Sequence, residues 1–137
     1  MKKPENVCFV LALLLASAAA VLAADGSWLQ RVPAIERHLV DPYDNQPQAI
    51  AAGKFLFSEH CAQCHGSDAH GRHGHPDLRS ERVARATDGE LAWLLRNGSL
   101  AKGMPSWSTL PEPERWQIIA FLRSLPRDAE PVRVAGH

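Results

Sequence analysis

The pattern Cys61-Ala62-Gln63-Cys64-His65 constrains this chain more than any other feature. Two thiols three residues apart, followed at once by an imidazole, suit three chemistries. In the first, both sulfurs form thioether bonds to the vinyl groups of a haem, and the adjacent His ligates the iron. Two anchors on one turn pin the edge of the ring, and the next residue aims its imidazole at the centre. In the second, the pair helps to bind zinc. A structural zinc site needs four protein ligands, usually with a second pair at similar spacing. No second Cys pair exists, although His70, His73 and His75 offer nitrogens. In the third, the pair is a redox dithiol, which expects a strand before the motif and a βαβ pattern around it. Neither pattern is visible, and the sequence favours haem.

Composition narrows the class. The 137 residues carry 15 basic and 15 acidic side chains, without the basic excess expected of a nucleic-acid binder. Apolar residues make up 45% and charged residues 22%, normal for a folded domain and wrong for a disordered one. Three Cys cannot all pair within one chain. Five of the seven His lie between His60 and His75.

The first residues read as a secretory leader. Lys2 and Lys3 precede an apolar run from Val7 to Ala24, broken only by Ser17 and ending in small residues. Cleavage is expected after Ala23, so residues 1–23, with Cys8, are expected to leave. An uncleaved membrane anchor is the alternative. Cys61 and Cys64 would then be the remaining thiols, in a soluble periplasmic protein.

Residues 24–46 read as an N-terminal extension, with a turn at Asp41–Asn45 and one helical turn around Ala34–Val40. Trp28, Leu29, Val32, Ile35 and Leu39 are apolar enough to lie against a domain. A helix is expected from Pro47 to His60, with Asn45 as its cap. Ile50, Gly53, Phe57 and Cys61 make its stripe. Gly53 is a poor helix former there, acceptable where another helix comes close. Residues 66–86 read as loop. Thr87 and Glu90 form a capping box for a helix bearing Leu91, Trp93, Leu94 and Leu95, which stops at Asn97-Gly98. A loop over residues 99–110 follows. A last helix begins near Pro111, with Glu112 and Glu114 at its positive end. Its stripe is Ile118, Phe121, Leu122 and Leu125, with Trp116 beside it, and Pro126 ends it. Residues 126–137 read as a tail. Three main helices with long loops bury limited surface, so something besides side chains is expected to fill the centre.

Met104 sits in the second loop, between Gly103 and Pro105. A thioether is a good sixth ligand for haem iron and raises its reduction potential. A Met is more often simple packing, but no helical stripe runs through this loop. Trp107 is a candidate to pack on the haem or to bond a propionate, with ordinary core packing as the alternative. His70, His73 and His75 read as solvated loop residues rather than a second metal site. Arg72, Arg79, Arg82, Arg85, Arg96 and Lys102 outnumber Asp77, Glu81, Asp88 and Glu90, either a mild docking field for an acidic partner or a mixed surface.

The haem motif, then Met104-Pro105, then a closing helix with Ile118, Phe121 and Leu122 together resemble a class I c-type cytochrome of bacterial type. The resemblance covers residues 47–125. It implies an all-α cytochrome c fold around one covalent haem c, with His65 and Met104 as the iron's axial ligands. Gly53 and Phe57 match the family's crossing of first and last helices, with Phe121 in the aromatic place. Pro76 matches the Pro whose carbonyl orients the proximal His. His75 stands where Gly is usual. The implied role is single-electron transfer rather than enzymatic turnover. The partners implied are redox proteins: a periplasmic dehydrogenase or quinol-oxidising complex on one side, a terminal oxidase or reductase on the other. Two rival roles are a fixed cytochrome subunit of a dehydrogenase complex, and a haem-based sensor or peroxidase if Met104 leaves the iron.

Overall fold

The computed structural model describes residues 27–127. The expected leader and residues 128–137 of the expected tail lie outside the described residues. The chain divides into two compact units between Arg31 and Val32. Of the first, residues 27–31 are described. Leu29–Arg31 forms a 3-10 turn, with the Arg31 N–H donating to the Trp28 carbonyl at 3.0 Å.

The second unit is helical: α1 (Ala34–Arg37), α2 (Pro47–His60), α3 (Ala62–His65), α4 (Glu81–Arg85), α5 (Asp88–Asn97) and α6 (Glu112–Ser124). Among the described residues no strand forms, only an isolated antiparallel bridge between Ser99 and Met104. The all-α expectation holds.

α2 has the expected bounds, but its cap is Gln46, without a side-chain capping bond. Proline disfavours helical geometry in the residue before it, and Gln46 is extended, at ψ 113°. The left-handed bend falls one residue earlier, on Asn45 at φ 58°, a conformation Asn tolerates well. The capping box forms as expected. Thr87 Oγ1 accepts from the Glu90 N–H at 3.2 Å, and Glu90 Oε2 accepts from the Thr87 N–H at 2.8 Å. α4 corrects the reading of residues 66–86 as unbroken loop. It is a helix of five residues, too short to show a stripe, braced by Arg85 Nε donating to Glu81 at 2.8 Å.

The core lies where α2 crosses α6. A Cβ at Gly53 would sit 1.9 Å from the Gln117 carbonyl oxygen, so only Gly permits this approach. One turn on, the Phe57 and Phe121 rings lie 5.3 Å apart at 52°. Such a pair contributes about 0.5–1.5 kcal/mol beyond area burial. Phe57 is 2% exposed and clusters with Ala69 and Phe121; Ile50, Cys61, Ala62, Leu78, Leu122 and Leu125 pack on them. The start of the Cys motif is thereby seated on this buried cluster. Trp116 and Ile118 are buried, as their positions suggested.

Polar contacts hold α1 to α5. Arg96 Nη2 donates to Glu36 Oε1 at 2.5 Å, Arg37 lies 3.5 Å from Glu90, and the Gly89 N–H donates to the Leu39 carbonyl at 3.2 Å. Val32 is buried as expected, but Ile35 is 77% and Leu39 43% exposed, against expectation. A single helical turn offers one face to its neighbour, and here that face carries Glu36 and Arg37. Arg123 ties α6 to the α4–α5 junction, with Nε donating to Asp88 Oδ1 at 2.9 Å and Nη1 to the Val83 carbonyl at 3.0 Å.

Candidate functional site

α2 delivers the chain to the motif. Cys61 closes α2, its N–H donating to the Phe57 carbonyl at 2.8 Å. In the turn α3, the Cys64 and His65 N–H groups both donate to the Cys61 carbonyl, at 3.2 and 2.9 Å. One helical turn therefore carries both sulfurs, with His65 directly after the second. Neither thiol is in a disulfide; Cys61 is half-buried and Cys64 exposed. Burial first, and the neighbouring Cys64 second, push the Cys61 thiol up to about 11. It stays protonated at neutral pH. A redox dithiol works through a thiolate with a lowered pKa, whereas the shift at Cys61 runs upward and a helix rather than a strand precedes the motif.

The zinc alternative fares no better. Among the described residues, no group of three or more His, Cys, Asp or Glu is placed to hold a metal ion. His70 Nε2 accepts from Arg79 Nη1 at 2.8 Å, and its Nδ1 lies 3.8 Å from Asp77 Oδ2. A guanidinium has no lone pair to share, so this nitrogen is engaged as an acceptor.

His65 is held from behind. Its Nδ1 lies 2.9 Å from the Pro76 carbonyl oxygen. A carbonyl only accepts, so Nδ1 carries the hydrogen and Nε2 keeps its lone pair to donate to a metal ion. Backbone contacts put the carbonyl there. The Gly71 N–H donates to the His65 carbonyl at 2.7 Å, and the Leu78 N–H to the Ala69 carbonyl at 2.8 Å. Gly71 has φ +81°, and a Cβ on it would lie 2.4 Å from the His75 carbonyl oxygen. His75 itself needs no left-handed geometry, because His73 (φ 50°) and Gly74 (φ 83°) take that bend. Its ring stands edge-on to His65, with centroids 6.1 Å apart.

Met104 lies in a bend tied to the end of α5. The Ser99 N–H donates to the Met104 carbonyl at 2.9 Å, and the Met104 N–H returns to the Ser99 carbonyl at 3.1 Å. A 3-10 turn over Leu100–Lys102 and Gly103 at φ 78° close the bend. The Trp107 N–H donates to the Leu95 carbonyl at 2.8 Å, and Ser106 Oγ to the Arg96 carbonyl at 2.5 Å. Met104 is half-buried and belongs to no helical stripe. The Trp107 ring lies 5.2 Å from the His60 ring at 51°. Sequence reading gave His60 no role, and nothing local links positions 60 and 107. The supposed docking cations are partly engaged within the domain: Arg79 Nε donates to the Pro126 carbonyl, Arg85 to Glu81, and Arg96 to Glu36.

The donor set fits haem c: two unbridged thiols on one turn, and an imidazole fixed at Nδ1 with Nε2 spare. Residues 48–122, more than half of the chain, match the family described as "Cytochrome C oxidase, cbb3-type, subunit III". This chain belongs to that cytochrome c family. The cytochrome carries haem c, and with it iron, at Cys61 and Cys64. It is 33% identical over 75 residues to the cbb3-type cytochrome c oxidase subunit CcoP of Rubrivivax gelatinosus, covering 54% of this chain and 25% of the relative. It is 33% identical over 85 residues to the subunit FixP of Sinorhizobium medicae, covering 59% and 29%. The cytochrome thus spans about a quarter of the length of these curated relatives. Cytochrome cL of Methylophaga aminisulfidivorans superposes with a TM-score of 0.55 at 29% identity, over 62% of this chain and 58% of the other. Cytochrome cL of Hyphomicrobium denitrificans, at 21% identity and a TM-score of 0.53 over 72% and 66%, shares the fold.

Proposed function

We propose that this protein is a periplasmic mono-haem cytochrome that carries single electrons and turns over no substrate of its own, with His65 and Met104 as axial ligands of the iron. The observation that carries the reading is the His65 arrangement: Nδ1 on the Pro76 carbonyl at 2.9 Å, directly after two unbridged cysteines on one turn. Haem supplies a reversible one-electron couple. The chain's own work is to attach, orient and shield. Cys61 and Cys64 anchor the ring. The Pro76 carbonyl fixes the imidazole tautomer and strengthens Nε2 as a donor. Met104 would supply a second protein ligand to the iron from a bend braced at Ser99, Leu95 and Arg96. Filling both positions leaves no open site for a substrate. Trp107 borders the same region.

Residues 1–23 act as a cleaved leader that exports the chain. Donors are a periplasmic dehydrogenase or a quinol-oxidising complex; acceptors are a terminal oxidase or reductase. A weak far-red sulfur-to-ferric-iron band that disappears in Met104→Ala supports the ligation. Rapid carbon monoxide binding by the reduced wild type speaks instead for a sensor or peroxidase.

A second reading makes the protein a fixed electron-transfer subunit of an oxidoreductase complex. The matched family, whose curated relatives are oxidase subunits by name, favours it. Gel filtration of a native extract separates the two: co-elution with an enzyme marks a subunit, elution alone a free carrier.

A further inference from the structure

His60 is the motif-adjacent histidine that haem attachment does not use. It ends α2, one residue before Cys61, and its ring meets Trp107, three residues beyond Met104. The Met104 segment is hydrogen-bonded to the end of α5 and to Ser99 just beyond it, by backbone at Leu95 and Ser99 and by the Ser106 hydroxyl at the Arg96 carbonyl. The cysteines belong to the other side of the site, on α2 and α3. Both α2 and α5 pack on α6. The ring pair therefore joins the element that offers the sulfur ligand to the element that anchors the haem.

We propose that the His60–Trp107 ring contact is a latch that positions the Met104 bend against the haem-bearing helix, with His60 and Trp107 as positioning residues. This rests on the reading of Met104 as an axial ligand. The bend holds no part of the Phe57–Ala69–Phe121 cluster and is reached by a short 3-10 turn that begins at exposed Leu100. Among the described residues, its backbone hydrogen bonds run to Ser99 and to Leu95 at the end of α5. The pair is a ring contact that runs from this segment toward the cysteines. Loss of the pair leaves the polypeptide folded, because α2 and α6 remain locked at Gly53 and Phe57, but raises the population in which the sulfur is off the iron.

The experiment compares the purified holoprotein with His60→Ala, His60→Phe and Trp107→Ala. It reads the far-red sulfur-to-ferric band, and the rate of carbon monoxide binding to the reduced form. Ala suits a helix end, so His60→Ala keeps α2 intact. Both Ala variants are expected to bind carbon monoxide roughly two- to ten-fold faster than wild type, as fits the loss of one aromatic pair. Their far-red band weakens in step. His60→Phe restores a ring, and with it the wild-type rate and band. A His60→Ala protein with the wild-type rate and a full band overturns the latch while leaving Met104 ligation standing. A wild type without the band, binding carbon monoxide as fast as Met104→Ala, overturns the ligation and the latch together.

Discussion

The Pro76 carbonyl oxygen lies 2.9 Å from His65 Nδ1, across a loop of ten intervening residues that contains no regular structure. The contact is set by the backbone, since Gly71 must approach within Cβ-clash distance of residues 75–77 for the carbonyl to reach the ring. One loop thus fixes both the tautomer and the direction of the imidazole.

Gly71→Ala is the direct probe of that loop. A side chain there meets the His75 carbonyl oxygen at 2.4 Å and must also hold φ +81°. The expected cost is roughly 1–3 kcal/mol of stability. The reduction potential shifts as well, because the bond behind His65 loosens. Chemical denaturation and a potentiometric titration check the two effects; an unmoved potential disconnects Gly71 from His65.

Gly53→Ala tests the helix crossing. Its methyl would lie 1.9 Å from the Gln117 carbonyl oxygen, an atom that moves only if α6 moves. A loss of about 3 kcal/mol is expected, at the upper end for overpacking. Phe57→Leu, which keeps the crossing but removes the ring pair, costs less. The order of the two denaturation midpoints is the readout.

Asp41 contributes a pH dependence to the stability. It is 4% exposed and its Oδ2 has no hydrogen-bond partner. Burial raises its pKa above the ordinary carboxylate value. The bond from the Tyr43 N–H and the charge of Arg123 oppose the shift; Asp88 and Asp44 add to it. Because the folded value exceeds the unfolded one, the ionised form is the costly one. Stability is full below the unfolded pKa of about 3.9 and falls as pH rises through the folded value. Asp41→Asn removes that fall, so it stabilises the protein at pH 7 relative to its effect in acid. Urea titrations at pH 7 and in the acid range give the comparison; equal effects at both count against the assignment.

Arg123→Ala releases several groups at once. Asp88 loses its ion pair, and the Val83 and Ala86 carbonyls lose their donor. A cost of about 2–3 kcal/mol is expected. Arg123→Lys recovers little, since one ammonium does not span the fork of a guanidinium. Thermal unfolding of the two variants measures this.

What the sequence disclosed, it disclosed locally. The α2 bounds, the Thr87–Glu90 box and the end of α5 at Gly98 each depend on neighbours within four residues, and each was readable. The Gly53 crossing was readable because a mid-helix glycine has few other uses. The rest depends on distant pairs. α4 is too short for periodicity to register. The pairing of Glu36 with Arg96 spans 60 residues. Ile35 and Leu39 are apolar yet exposed, because polar neighbours make the contact with α5. His60 and Trp107 meet only once the fold brings the α2 end beside the Met104 bend.

The intact mass of the exported, purified protein after denaturation in acidified organic solvent tests the central claim most directly. The account predicts the processed polypeptide plus one haem, with colour staying on the protein, and loss of that stable attachment when Cys61 and Cys64 are both replaced by Ala. A mass equal to the bare polypeptide, or pigment passing into the solvent, would contradict it.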